Sequence, residues 1–161
     1  MAKSLRITVA GTGYVGLSLS CLLAQHNNVC AIDLIQDKVD MINEGTSPIV
    51  DCEIERFLAT HPKHLQATTD PAMAYRSECD YVVVATPTNY DAEQNTFDTS
   101  SIESVLSEVE KRCPHTTIVI KSTVPVGYTA HIAHSFPKLN ILFSPEFLRE
   151  GHALADNLNP S

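Results

Sequence analysis

The sequence predicts an α/β fold, a doubly wound parallel sheet with helices on both faces, and two observations carry the prediction. Short apolar runs rich in β-branched residues alternate with longer amphipathic stretches along the whole chain. Runs such as Tyr81-Val82-Val83-Val84-Ala85 and Thr117-Ile118-Val119-Ile120 are apolar almost without interruption, as strands covered on both faces must be. Right-handed crossovers between parallel strands then put helices on both sides of one sheet. The 161 residues suit one domain, 1–161, and suffice to bury a core.

In chain order, strands are expected at Arg6 to Ala10, Val29 to Asp33, Gln66 to Thr68, Asp80 to Ala85, Thr117 to Lys121 and Ile141 to Phe143. Helices are expected at Tyr14 to Gln25, Ile35 to Asn43, Ile54 to Thr60, Pro71 to Arg76, Ile102 to Arg112 and Gly127 to Ser135. The fifth helix is well marked. Asp98-Thr99-Ser100-Ser101 offers several capping oxygens, Ile102, Val105, Leu106 and Val109 line one face, and Pro114 ends it. Thr88 to Thr99 reads as the longest irregular stretch, polar and without apolar period. It follows a strand's carboxyl end, the edge where ligands bind in open α/β sheets. The closing run Asp156-Asn157-Leu158-Asn159-Pro160-Ser161 is rich in turn formers and reads as lacking a terminal element, as if the chain stopped in mid-fold.

Composition excludes several classes. Apolar residues make up 43% and charged residues 19%, which excludes disorder driven by charge. Eleven Lys and Arg against nineteen Asp and Glu give a net charge of −8 with no basic cluster, which argues against nucleic acid and anionic membrane surfaces as partners. No apolar run nears the roughly 20 residues of a membrane span, and Met1 to Arg6 leads into a strand rather than a signal peptide. A cytoplasmic protein is expected. The five cysteines form no C-x-x-C pair and read as reduced packing thiols. Two H-x-x-H spacings, His61/His64 and His131/His134, lack the setting of a metal site: Pro62 splits the first and no acidic third ligand stands near the second.

The most specific local signal lies between the first strand and the first helix. Val9-Ala10-Gly11-Thr12-Gly13-Tyr14-Val15-Gly16 matches G-x-G-x-x-G. Gly11 permits the tight turn, Gly13 lets the backbone approach a pyrophosphate, and Gly16 lets helix and strand pack closely. The following helix aims its free N–H groups at the phosphates. Asp33 ends the second strand 22 residues after Gly11, placed to hydrogen-bond an adenosine ribose or, alternatively, to cap the next helix. A carboxylate there repels a 2′-phosphate, and Leu34-Ile35-Gln36-Asp37 supplies no arginine to hold one, so a Rossmann-like domain binding NAD rather than NADP is predicted. Lys38 is the nearest cation, either approaching the adenosine end or simply solvated.

Three more segments follow apolar strands. In Ala85-Thr86-Pro87-Thr88-Asn89 the hydroxyl of Thr88 either faces the cofactor trough or belongs to a plain turn. In Lys121-Ser122-Thr123-Val124-Pro125 the hydroxyls either serve the site or cap a helix that Pro125 opens. In Phe143-Ser144-Pro145-Glu146-Phe147-Leu148-Arg149-Glu150 the acids either clamp a ligand and place a carboxylate beside it or form an i,i+4 pair on a surface helix.

Taken as an ordered set, with Thr46-Ser47-Pro48-Ile49 and Gly151, these segments resemble the amino-terminal domain of the UDP-glucose/GDP-mannose dehydrogenase family, and within it the UDP-glucose 6-dehydrogenase group. The resemblance runs through the whole chain. It implies oxidation of the C6 alcohol of a nucleotide sugar, UDP-glucose, to a carboxylate by two hydride transfers to two NAD molecules, with homodimers through a central helix. It implies that Gly11, Gly13, Tyr14, Val15 and Gly16 hold the pyrophosphate, that Asp33 takes the ribose with Lys38 nearby, and that Thr88, Thr123 and Glu150 line the nicotinamide side. It makes Glu146 the acid associated with the water that hydrolyses a thioester, with Thr123 close to that water, and makes Glu146, Phe147, Leu148, Arg149 and Glu150 a wall of the substrate site. The family's nucleophilic cysteine lies in a G-G-x-C-x-x-K-D segment with no counterpart here, and its oxyanion-stabilising lysine and asparagine also lie beyond position 161. The chain is therefore expected to be the NAD-binding part of a longer dehydrogenase, without the central helix and UDP-sugar domain, and inactive alone. A GDP-mannose or UDP-N-acetylhexosamine dehydrogenase and a non-catalytic nucleotide-binding module are the alternatives.

Overall fold

A computed structural model describes residues 4–91 and 96–159 of the chain. Six strands form one parallel sheet: β1 (Arg6–Ala10), β2 (Asn28–Ile32), β3 (Leu65–Thr68), β4 (Tyr81–Val84), β7 (Thr117–Ile120) and β8 (Asn140–Phe143). Their order is β3-β2-β1-β4-β7-β8, so the winding reverses between β1 and β4 and leaves a crevice at their carboxyl ends. The remaining strands, β5 (Asn89–Asp91) and β6 (Thr96–Asp98), form an antiparallel hairpin.

Among the described residues seven helices accompany them: α1 (Tyr14–Ala24), α2 (Gln36–Asn43), α3 (Cys52–Ala59), α4 (Pro71–Ala74), α5 (Ser100–Arg112), α6 (Tyr128–Ser135) and α7 (Ala153–Leu158). The period-2 alternation of β4 divides its apolar side chains between the two layers. Val82 and Val84 pack with Ile102, Leu106, Val109, Ile118 and Ile120 on the α5 side. Val83 packs with Ile7, Val9 and Ala24 on the α1 side, next to a cluster of Leu17, Cys21, Ile54, Leu58 and Leu154. β4 is thus apolar on both faces because each face carries a layer.

Local chemistry sets the helix boundaries. Asp51, 1% exposed, caps α3 by accepting from the N–H groups of Glu53 and Ile54, which starts that helix two residues earlier than the apolar pattern indicates. Asp70 accepts from Ala72 N–H and Pro71 stands in the first turn, which opens α4. Asp98 accepts from Ser100 N–H and starts α5 at Ser100, while Lys111 and Arg112 favour its carboxyl end.

Three expectations need correction. Thr88 to Thr99 is not wholly irregular, since β5 and β6 pair with Tyr90 opposite Phe97 and their rings 5.0 Å apart. Each strand has three residues around one aromatic, too short for a period to register. The chain does not end without an element: α7 buries Ala153 and Leu154 against α1 and α3, with Asn157 Nδ2 donating to Ser18 Oγ; Pro160 and Ser161 lie outside the described residues. Pro125 does not open the sixth helix, which begins at Tyr128 behind Gly127 at φ +83°. Among the described residues no helix is long and apolar enough to cross a membrane.

Candidate functional site

The glycines of the β1–α1 turn have three different surroundings. Gly11 has φ +97°, and a Cβ there would lie 2.5 Å from the Ala85 carbonyl oxygen at the end of β4. A Cβ on Gly16 would fall on the Gly11 carbonyl. Gly13 is the exception, because a Cβ on it would meet nothing within 4 Å. Gly13 is also the N-cap of α1, which has no side-chain cap and no acidic residue in its first turn. Among the described residues no side chain caps the first-turn N–H groups at the positive helix end, and open space lies beside Gly13. That cradle fits a pyrophosphate, and the half-exposed Tyr14 and Val15 begin the helix beside it.

Asp33 stands just past β2, half-buried, with its carboxylate turned to this loop. Oδ2 accepts from Thr12 N–H (3.0 Å) and from the Thr12 hydroxyl, and Oδ1 accepts from Ile35 N–H (3.1 Å). Partial burial pushes the carboxyl up, but the bonds from Thr12 and Ile35, with Lys38 nearby, outweigh it and hold Asp33 below its ordinary value. An ionised acid thus stands beside the glycine turn. The helix-capping alternative holds only in part, since Asp33 bonds the N-cap residue of α2 rather than capping the helix itself.

The three other strand-end segments are joined to one another. Thr88 Oγ1 donates to Thr123 O (2.7 Å), and Ser101 Oγ donates to Pro87 O (2.8 Å). Ser122 does not cap a helix; buried, its hydroxyl donates to Thr86 O (2.7 Å). Ser144 N–H donates to Ile120 O (3.0 Å), bringing the segment after β8 alongside. Residues 144–149 form neither helix nor strand, which removes the surface-helix reading of Glu146 and Glu150.

The profile of the UDP-glucose/GDP-mannose dehydrogenase family, NAD binding domain, matches residues 5–161. The chain belongs to this family. A UDP-glucose 6-dehydrogenase of Streptococcus pneumoniae is 51% identical over 157 residues, covering 98% of this chain and 40% of that protein. One from Campylobacter jejuni is 45% identical over 159 residues, with 98% and 40% covered. A solved ternary complex of GDP-mannose dehydrogenase from Pseudomonas aeruginosa superposes with a TM-score of 0.87 at 28% identity, covering 97% of this chain and 39% of that one. The chain thus spans about 40% of the curated relatives it matches, and it is the family's NAD-binding domain.

Within this dehydrogenase-family domain the expected residues line one edge of the sheet. Asp33 follows β2 and Glu146 follows β8, four strand spacings apart, or roughly 19 Å. Thr88 and Thr123 lie between and are bonded to each other. Phe147 is 91% exposed, Leu148 half-buried, and Glu150 exposed at a turn. Arg149 is held by α7: its guanidinium makes a two-pronged contact with Asp156 (2.6 and 3.2 Å), whose carboxyl the arginine holds at about 2.

Sequence reasoning passed over Thr12, Lys121 and Asp156. Thr12 and Lys121 act through partners distant in sequence, and Asp156 meets Arg149 across a loop of no regular period, so no local pattern announces them. Lys121 Nζ forms an ion pair with Glu146 Oε2 at 3.0 Å, the two side chains being only 12% and 18% exposed. A cavity of about 360 Å³ lies instead at the opposite edge of the sheet, between the start of β1 to β3 and α4, lined by Arg6, Cys30, Lys63, Arg76 and Cys79. It exists because α4, at four residues, is too short to cover that face, and it contains none of the expected site residues.

Proposed function

We propose that this chain is the NAD-binding, amino-terminal part of a longer UDP-glucose 6-dehydrogenase. The reaction takes a C6 alcohol, two NAD⁺ and one water to a carboxylate, two NADH and three protons. The observation that carries the reading is the joining of the three strand-end segments to one another on the edge that also holds the glycine turn and Asp33. The 51% and 45% identity to UDP-glucose 6-dehydrogenases supports the choice of substrate.

In this reading Gly11, Gly13, Tyr14, Val15 and Gly16 seat the pyrophosphate on the uncapped end of α1, and Asp33, with Lys38 near it, bonds the adenosine ribose. Bound NAD supplies the hydride acceptor. Thr88, Thr123 and Glu150 border the nicotinamide, and the Thr88–Thr123 bond fixes the spacing of two strand ends across it. Glu146 orients the hydrolytic water and accepts its proton, with Thr123 beside it. Phe147, Leu148 and Arg149 present backbone groups to the sugar nucleotide; the engagement of the Arg149 side chain by Asp156 favours its backbone over its guanidinium.

The nucleophilic cysteine comes from a part of the protein outside these residues. Burial pushes Cys21 up to about 12 and Cys30 and Cys113 up to about 11, and exposed Cys52 opens a helix whose first turn carries Glu53 and Glu55. The longer protein acts as a homodimer in the cytoplasm. A GDP-mannose or UDP-N-acetylhexosamine 6-dehydrogenase is the second reading, favoured by the TM-score of 0.87 to a GDP-mannose dehydrogenase.

The test is NADH formation by the full-length protein with UDP-glucose, GDP-mannose and UDP-N-acetylmannosamine supplied separately. Two NADH per UDP-glucose, and little turnover with the others, is expected. Preference for another sugar nucleotide overturns the substrate assignment, and turnover by the 161-residue chain alone overturns the placement of the nucleophile.

A further inference from the structure

We propose that Lys121 is a positioning residue that fixes the carboxylate of Glu146 against the sheet edge; this rests on the reading of Glu146 as the acid of that site. Glu146 follows Pro145 in a segment, 144–149, that belongs to no helix or strand, so no regular backbone hydrogen bonding sets where its carboxylate lies. Lys121 is placed differently. It directly follows β7, and its N–H donates to Val84 O (2.8 Å), which ties it to the end of the neighbouring central strand.

From this fixed base the side chain reaches across to the loop. Nζ stands 3.0 Å from Glu146 Oε2 and donates to Ser144 Oγ at 3.2 Å, so one ammonium group holds the loop at two points two residues apart. The contact fixes one oxygen of the carboxylate, Oε2, and leaves acceptor capacity on the group for a water.

Stability is a poor reason for this pair. Taking both charges largely out of water costs about as much as their attraction returns, and apolar side chains of similar size would serve the core as well or better. An ion pair with side chains 12% and 18% exposed, at the ligand edge of the sheet, is instead what setting the geometry of a loop acid from a rigid element requires.

The experiment uses the full-length dehydrogenase with Lys121→Met, Glu146→Gln and the double substitution. Lys121→Met is expected to lower kcat about 100-fold while KM for UDP-glucose and Kd for NAD stay within about threefold, since misplacing a reacting group by an ångström has that order of effect. In the Glu146→Gln background the same substitution is expected to cost less than about threefold, because the lysine acts through that carboxylate. An equal loss in both backgrounds, a rise in KM with kcat unchanged, or no effect would each overturn the inference. Absence of NADH formation from UDP-glucose by the unsubstituted enzyme would sink the underlying reading instead. The pairing is then decided on the 161-residue chain by lysine acetylation read by mass spectrometry. Lys121 should react about tenfold more slowly than Lys111, whose side chain is 68% exposed, and Glu146→Gln should remove most of that protection; equal rates before and after overturn it.

Discussion

Replacing Gly13 and Gly16 separately with alanine should divide binding from folding within one turn. A Cβ on Gly16 would overlap the Gly11 carbonyl and come within 3.3 Å of Ala85 Cβ; the first obstacle is backbone and cannot swing aside. Overpacking of this kind costs about 3 kcal/mol or more, which in a domain of this size lowers Tm by roughly 6–12 °C. At Gly13 the added methyl meets nothing within 4 Å, and φ is −77°, open to any residue. Removing the unfolded-state freedom of glycine gains about 0.4–1 kcal/mol, and exchanging a tolerated N-cap for a poor one loses a similar amount, so the two nearly cancel. Gly13→Ala should therefore leave Tm within about 2 °C. The same methyl would occupy the cleft where the phosphates meet the helix end, and should weaken NAD at least about tenfold, or 1.4 kcal/mol. Thermal unfolding by circular dichroism and NAD titration by calorimetry read the two effects independently. A Gly13→Ala chain that binds NAD normally, or a Gly16→Ala chain with unchanged Tm, would refute the assignment of roles.

Other expectations follow from the same contacts. Asp33→Ala should strand the N–H and O–H of Thr12, which is fully buried, at about 1–3 kcal/mol per group, and so lower Tm by roughly 10 °C in urea-free buffer without any cofactor. Because the folded Asp33 lies below its ordinary value, its contribution is complete above about pH 4 and is lost as pH falls through the lower folded value; the gap between wild type and variant should stay constant from pH 5 to 8 and narrow only in acid. The Asp156 carboxyl, followed by carbon NMR, should titrate at about 2 and rise only part of the way to its ordinary value in Arg149→Ala, because the backbone N–H of residue 149 still donates to it; no change on removing the guanidinium would contradict the pairing. Among the thiols, exposed Cys52 should react first with a disulfide reagent at pH 8, whereas Cys21, Cys79 and Cys113 should wait for denaturant.

The fold was legible where one layer of residues answers to one period. The β4 and β7 runs announced strands covered on both faces, and the stripe Ile102, Val105, Leu106, Val109 announced α5. The β5–β6 hairpin stayed hidden because its stability rests on one cross-strand aromatic contact, Tyr90 with Phe97, which has no local signature. Helix α7 stayed hidden because it is only six residues long and its second half, Asp156-Asn157, runs into turn formers; Leu154 packing under α1 and the Arg149–Asp156 contact hold it in place.

In the glycine turn, Gly11 and Gly16 were readable because the backbone leaves no room for a Cβ at either position. The opposite was true of Lys121, which looks like an ordinary strand-ending lysine until the loop after β8 folds back beside it. Thr12 likewise reads as a filler position of the glycine motif, although its N–H and its hydroxyl both donate to the Asp33 carboxylate.

That engagement of Asp33 makes one titration the most direct test of the account, which holds that an ionised Asp33 at the adenosine end selects NAD. NAD and NADP should be titrated into the 161-residue chain and its Asp33→Asn variant at a temperature where both are folded. The chain should favour NAD by about 30-fold, as expected of about 2 kcal/mol of repulsion between a carboxylate and a 2′-phosphate, and Asp33→Asn should erase most of that preference. Equal affinity for NAD and NADP in the unsubstituted chain, or an undiminished preference in the variant, would contradict it.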